Sequence, residues 1–164
     1  MADRALTGIL LVGGASSRFG SPKELAEVEG ETLRDRAWRL LGDACDERFA
    51  VGRGGLADPG TGPVAAIAAG LRAASHDVAV VVPVDMPLLT VAALHALADA
   101  CHDAAVALAG PLPCAVARRA LPAFETGELR LRTVLAGLDT ARVELDPALL
   151  ANVNTPADLA RIPG

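Results

Sequence analysis

The chain has 164 residues, a formal charge of −5 and 52% hydrophobic residues, which is the length of one domain and far too apolar for a disordered chain. Aromatics make up only 2%, with no Tyr, so the stacking platforms that single-stranded nucleic acids use are missing. The acidic balance likewise excludes an extended phosphate-tracking surface. Fourteen of the fifteen basic residues are Arg, the one Lys is Lys23, Gln is absent, and the only two Asn are Asn152 and Asn154. In a composition that elsewhere prefers Arg and Ala, these rare residues mark places where their particular chemistry is needed.

In chain order, apolar runs of strand length alternate with helical patterns. Gly8–Val12 is the first expected strand, and it runs into Gly13-Gly14-Ala15-Ser16-Ser17-Arg18-Phe19-Gly20-Ser21-Pro22-Lys23. Small residues there let backbone N–H groups approach a phosphate, while Arg18 and Lys23 supply positive charge. The spacing is neither a dinucleotide fingerprint nor a Walker loop. An ordinary solvated surface loop is an equal reading of the spacing alone. Ser16 and Ser17 lack a neighbouring His–Asp arrangement, which leaves hydrolase chemistry without support.

Thr32 with Asp35 resembles a capping box that opens a helix over Leu33–Leu41. Arg48–Val51 is the second strand. Asp58-Pro59-Gly60-Thr61-Gly62-Pro63 then forms a turn whose proline starts a helix over Val64–Ala74, with its N-terminus available to an anion or a ribose; a plain turn is an equal reading. Val78–Val84 is a buried strand, and Pro83 within it predicts that the regular ladder ends there. Asp85 follows immediately, beyond the strand's carboxyl end, where ligands bind in open α/β sheets. It is a hard-oxygen ligand suited to Mg²⁺; a turn Asp bound to its own backbone is the competing reading.

Thr90 caps a helix over Val91–Ala100. Strands follow at Ala104–Ala109, Cys114–Ala117 and Arg142–Leu145. Glu125, Glu128, Arg130 and Arg132 between them read as a solvated helical face. Asn152-Val153-Asn154 places two amides on one side of an extended segment, just before a short helix started by Thr155, Pro156 and Asp158; turn-forming Asn ahead of a helix is the competing reading. His76, His95 and His102 have no ligand spacing. Cys45, Cys101 and Cys114 are scattered, which predicts reduced, buried thiols in a cytoplasmic protein. No apolar run approaches the ~20 residues that span a bilayer, so no membrane association is expected. The pattern is an α/β domain of layered type with a mostly parallel central sheet.

Taken together in order, these segments resemble the molybdenum cofactor guanylyltransferase family. The resemblance rests on Leu11-Val12-Gly13-Gly14 through Arg18, Gly20 and Lys23, on Gly62-Pro63 before a helix ending near Gly70-Leu71, and on Asp85-Met86-Pro87. It continues in Pro113-Cys114-Ala115 and in Asn152-Val153-Asn154-Thr155-Pro156 with Asp158 and Leu159. It implies a cytoplasmic, three-layer Rossmann-like nucleotidyltransferase, here a single domain over 1–164. Such an enzyme transfers GMP from GTP to the phosphate of a molybdenum-bearing pterin, with Mg²⁺, and releases diphosphate. Carried over, Leu11, Val12, Gly13, Gly14, Lys23, Asp58 and Asp85 hold the nucleotide, and Asp85 holds the metal. Lys23, Arg18 and Asp85 are the catalytic candidates, and Asn152 and Asn154 face the pterin phosphate. A molybdoenzyme or its chaperone is the implied protein partner. A CTP-using relative on the same pterin, another NTP transferase, and a shortened nucleotide- or cofactor-binding protein without turnover are the alternatives.

The chain departs mildly from the family pattern at Phe19, Pro22 and Val84, and more seriously in one segment. Gly52–Gly62 is eleven residues with five Gly and one Pro, too few for a helix-plus-strand crossover. The family's helix and strand in this region are therefore expected to be missing, together with a nucleotide-contacting Asn, whose place falls to Gly52 or Arg53.

Overall fold

The structure is a computed structural model that describes residues 4–13 and 23–163. Its frame is a six-stranded sheet whose strands, in chain order, are β1 (Leu6–Val12), β4 (Glu47–Gly52), β5 (Val78–Pro83), β6 (Ala104–Ala107), β7 (Gly110–Ala117) and β8 (Thr140–Val143). The spatial order is β4-β1-β5-β7-β6-β8. β1 pairs parallel with both β4 and β5, and β6 pairs parallel with β8. Only β7 runs against its neighbours, because it follows β6 through a short hairpin. The remaining strands, β2 (Glu27–Val28) and β3 (Glu31–Thr32), form a separate antiparallel ribbon.

Alternation along the strands sends successive side chains to opposite faces. On one face Leu10, Val80 and Val82 pack with Leu33, Ala37 and Leu41 of helix α1 (Leu33–Ala44) and with Leu94 and Leu97 of α3 (Val91–Ala100). On the other, Ile9, Ala79 and Val81 pack with Ile67 and Leu71 of α2 (Pro63–Ala73) and with Leu131 and Leu135 of α4 (Leu131–Ala136). Covering both faces is what makes the central strands apolar throughout, and it gives the three layers expected from the sequence.

The helix starts follow local chemistry. The Thr32 hydroxyl accepts the Asp35 N–H at 3.0 Å, and the Thr90 hydroxyl that of Ala93 at 3.2 Å. Thr155 and Asp158 complete a reciprocal capping box on α5 (Pro156–Ala160), and Pro63 stands in the first turn of α2. β5 ends at Pro83, as its proline requires.

Four expectations need correction. The β2–β3 ribbon was not anticipated, although its Glu29-Gly30 loop with φ of 53° and 80° is the two-residue turn such ribbons prefer. The last strand is Thr140–Val143, two residues earlier than the apolar run suggested. Glu125, Glu128, Arg130 and Arg132 do not share one helical face. Glu125 ends a 3₁₀ stretch (Arg118–Glu125) and pairs with Arg72 of α2 at 2.7 Å, Glu128 accepts the Arg130 N–H at 2.8 Å, and only Arg132 lies on α4. Finally, Cys114 is buried, but Cys45 and Cys101 are only half-buried. All three are free, and burial pushes Cys45 up to about 12, Cys101 up to about 11 and Cys114 upward as well.

At the amino-terminal edge of the sheet, the fully buried Thr7 donates its hydroxyl to Glu47 Oε2 at 2.5 Å. The same oxygen accepts the Ser75 N–H at 2.6 Å. Partial burial alone would raise the Glu47 carboxyl, but the hydrogen bonds from Ser75 and Thr7 outweigh it and hold the group below its usual value.

Candidate active site

A cavity of about 360 Å³ opens at the carboxyl ends of β1 and β5, within the size range of small-molecule sites. Its walls bring together residues from four separate parts of the chain. Leu11, Val12 and Gly13 come from the end of β1, and Lys23 from the 3₁₀ turn Lys23–Leu25. Asp58, Gly60, Gly62, Pro63 and Ala66 come from the loop and first turn of α2, and Pro83, Val84 and Asp85 from the end of β5. The opening turn of α2 thus presents the positive end of an eleven-residue helix to the cavity.

Two carboxylates face this space. Asp85 Oδ2 stands 3.4 Å from Lys23 Nζ, with the side chains only 21% and 15% exposed. The backbone carbonyl of Asp85 accepts the N–H of the fully buried Val153 at 2.8 Å, which ties the post-strand turn to the C-terminal segment. Asp58 is exposed, and its Oδ1 accepts the Gly60 N–H at 2.8 Å. Its other oxygen lies close to Gly13: a Cβ added there would sit 3.4 Å from Asp58 Oδ2.

Of the residues expected from the sequence, Leu11, Val12, Gly13, Lys23, Asp58 and Asp85 meet in this one cavity. Gly14 and Arg18, with Ser16, Ser17 and Gly20, lie outside the described residues. Asn152 and Asn154 are both exposed and flank buried Val153, so they share the side opposite the core, as alternation requires. That places the pair next to the Asp85 backbone but not among the residues lining the cavity. Cys114 of the Pro113-Cys114-Ala115 segment is a core side chain of β7.

The loop 53–62 carries neither helix nor strand, in keeping with its length. It is built as a tight return: Leu56 N–H donates to Ala50 O at 2.7 Å, and Gly52 N–H to Leu56 O at 2.9 Å. Gly52 has φ 118°, and a Cβ there would meet Val12 O at 1.6 Å, so no other residue fits. This turn therefore packs directly on a residue of the cavity wall.

One pair near the site was not read from the sequence. Glu24 is 4% exposed, and Arg53 Nε stands 3.3 Å from its Oε1. The contact has the distance of an ion pair without the alignment of a hydrogen bond. No sequence signal distinguishes this Glu from a solvated one, because its burial depends on tertiary packing.

No group of three or more His, Cys, Asp or Glu able to hold a metal occurs among the described residues. A carboxylate such as Asp85 at the wall of this cavity is nevertheless a donor that suits Mg²⁺, which keeps waters and needs only one or two protein carboxylates beside substrate phosphates. No described helix is long and apolar enough to cross a membrane.

Residues 8–145 match the family of MobA-like NTP transferase domains. A molybdenum cofactor guanylyltransferase of Xanthomonas euvesicatoria is 34% identical over 180 positions, covering 98% of this chain and 95% of that protein. One from Pseudomonas fluorescens is 34% identical over 181 positions, covering 90% and 88%. Both alignments exceed the 164 residues of this chain, so these relatives carry positions that have no counterpart here. Among solved structures, molybdopterin-guanine dinucleotide biosynthesis protein A of Archaeoglobus fulgidus superposes with a TM-score of 0.78 at 22% identity, covering 94% of this chain and 95% of that one. A 2-C-methyl-D-erythritol 4-phosphate cytidylyltransferase of Thermus thermophilus superposes at 0.69 and 18% identity, covering 93% and 94%. The fold is therefore common to transferases that use different bases.

Proposed function

This chain belongs to the family of MobA-like NTP transferase domains, and from that premise we propose that it transfers GMP from GTP to the phosphate of the molybdenum-bearing pterin as a single domain over 1–164. The observation that carries the reading is the convergence of Leu11–Gly13, Lys23, Asp58 and Asp85 on one cavity at the carboxyl ends of β1 and β5. In the reaction a pterin phosphate oxygen attacks the α-phosphorus of GTP. The bond from that phosphorus to the bridging oxygen breaks, and diphosphate leaves with the electron pair.

Little covalent work falls to the protein, so its task is positioning and charge neutralisation. Lys23 neutralises charge on the phosphate oxygens as a compact point charge on a flexible stem. The first turn of α2 faces the same oxygens with the positive end of its dipole. Leu11–Gly13 form the wall along the nucleoside, and Asp58 accepts hydrogen bonds from its donors. Asp85 would hold Mg²⁺, which when bound neutralises phosphate charge and orients the leaving diphosphate. Asn152 and Asn154, on the outer side of the segment braced against Asp85, offer uncharged donors and acceptors to the pterin phosphate. Gly14 and Arg18 extend the phosphate-binding loop, and a molybdoenzyme or its chaperone is the recipient of the product.

The test is a thermal-shift comparison of GTP, CTP, ATP and UTP with Mg²⁺, followed by diphosphate release on adding the pterin. A nucleotide at 100 times its Kd stabilises by about 2.7 kcal/mol. The expected result is the largest shift with GTP and diphosphate release that requires the pterin. A larger shift with CTP would make the chain a cytidylyltransferase on the same acceptor. A GTP shift without release would make it a nucleotide-binding protein, and no shift with any nucleotide would overturn the reading.

A further inference from the structure

The Glu24–Arg53 pair joins two segments that both reach the cavity. Glu24 directly follows Lys23, and Arg53 directly follows Gly52, whose backbone lies against Val12 O. The Arg53 carbonyl accepts a hydrogen bond from Arg34 Nη1 of α1 at 2.6 Å, so the loop is anchored to a helix of the main frame. Contacts thus run from the Val12 wall through Gly52 and Arg53 to Glu24, and back into the cavity at Lys23. A carboxylate that is 4% exposed is costly without a partner. The Arg53 guanidinium, its side chain 66% exposed, is the cation that stands beside Glu24, and Lys23 is the residue next to Glu24 in the chain.

We infer that Arg53 and Glu24 are positioning residues that clamp Lys23 into the cavity and compensate, in this chain, for the short connection between β4 and α2. The clamp explains how a loop without helix or strand keeps register with the other side of the site. It rests on the reading of Lys23 as the phosphate-neutralising residue. Neither residue is among those that line the cavity; both act through Lys23.

The chain's one lysine makes a test that does not depend on turnover possible. Reductive ¹³C-methylation of the full chain labels Lys23 and the terminal amine alone, giving two resolvable NMR signals. In Arg53→Ala and in Glu24→Gln the Lys23 signal is expected to move toward the position of an unstructured lysine. It is expected to stay in place in Arg161→Ala, a control at an exposed site. In turnover, Arg53→Ala is expected to lower kcat/KM by roughly tenfold or more, as small misplacements of a reacting group do, and Arg53→Lys to recover most of the loss. In a Lys23→Ala background the further change Arg53→Ala is expected to cost less than about twofold, because a residue acting through Lys23 has nothing left to position.

An unmoved Lys23 signal in both clamp variants overturns the inference. So does an equal turnover loss with and without Lys23, which would mark a general structural role. Glu24→Gln, which keeps an amide in the buried position, guards against a folding failure in Arg53→Ala. A shifted Lys23 signal in a protein that transfers nothing from GTP would support the clamp and overturn the functional reading instead.

Discussion

Two carboxylates line the cavity, and the protein holds them by opposite means. Asp85 follows a strand buried on both faces, is itself mostly covered, and has its backbone carbonyl tied to buried Val153. Asp58 sits on an exposed loop, and among the described residues its side chain accepts a hydrogen bond from the Gly60 N–H, two residues away. The Asp85 side of the cavity is thus braced by the core of the sheet, whereas the Asp58 side depends on local turn geometry and on Gly52. In the proposed function the reacting groups lie where the frame is stiff, and the adaptable contact is left to a loop.

The largest effect should come from the stiff side. Lys23→Ala is expected to lower turnover by roughly 10²–10³, the usual loss for one preorganised charge-stabilising donor. Asp85→Asn should abolish Mg²⁺-dependent diphosphate release altogether. An assay of diphosphate against Mg²⁺ concentration reads both, and an unchanged metal dependence in Asp85→Asn would remove that residue from the mechanism.

Gly52→Ala probes the hinge between the two regions. Its positive φ alone costs roughly 1–3 kcal/mol for a non-glycine residue, and the clash with Val12 O adds to it. Denaturant unfolding should show the loss, and GTP binding should weaken with it, because the displaced residue is part of the cavity wall. Asp58→Ala should do less. We expect roughly a tenfold rise in the GTP Kd, from one lost hydrogen bond to a charged group. Stability should change by about 1 kcal/mol or less, since the side chain is exposed. Equal stability losses in Asp58→Ala and Asp85→Ala would break the contrast between the two sides.

The smallest effect lies at the far edge of the sheet. Glu47 is held below its ordinary value in the folded state, so its contribution is complete above the unfolded carboxylate value of about 4.3 and is lost as pH falls through the lower folded value. In Glu47→Gln the decline of the denaturation midpoint on acidification should be shallower, with nucleotide binding unchanged. An identical pH profile in the two proteins would show that Thr7 and Ser75 do not stabilise the charged form.

Much of the frame was legible because its causes are local. Strands apolar on both faces, Thr90 and Thr155 as caps, and Pro63 and Pro83 as a start and a stop each act within a few residues. The meeting of Leu11–Gly13, Asp58 and Asp85 was implied by the family resemblance, and their places after strands and before a helix agree with it. The β2–β3 ribbon and the position of β8 were not, since such short strands take their limits from their neighbours. The grouping of Glu125 with Arg130 failed for a similar reason: a charged side chain finds its partner across space, and Glu125 found Arg72 on another helix.

Sequence alone determined the layered α/β class, the family resemblance and the short span from Gly52 to Gly62, because period, punctuation and length are properties of the chain itself. Only the tertiary structure decided that Asn152 and Asn154 stand outside the cavity wall, and that the short loop returns onto Val12. It alone decided that Glu24 is buried against Arg53. Burial and pairing depend on which surfaces meet, and a carboxylate beside a lysine reads the same in sequence whether water or protein surrounds it.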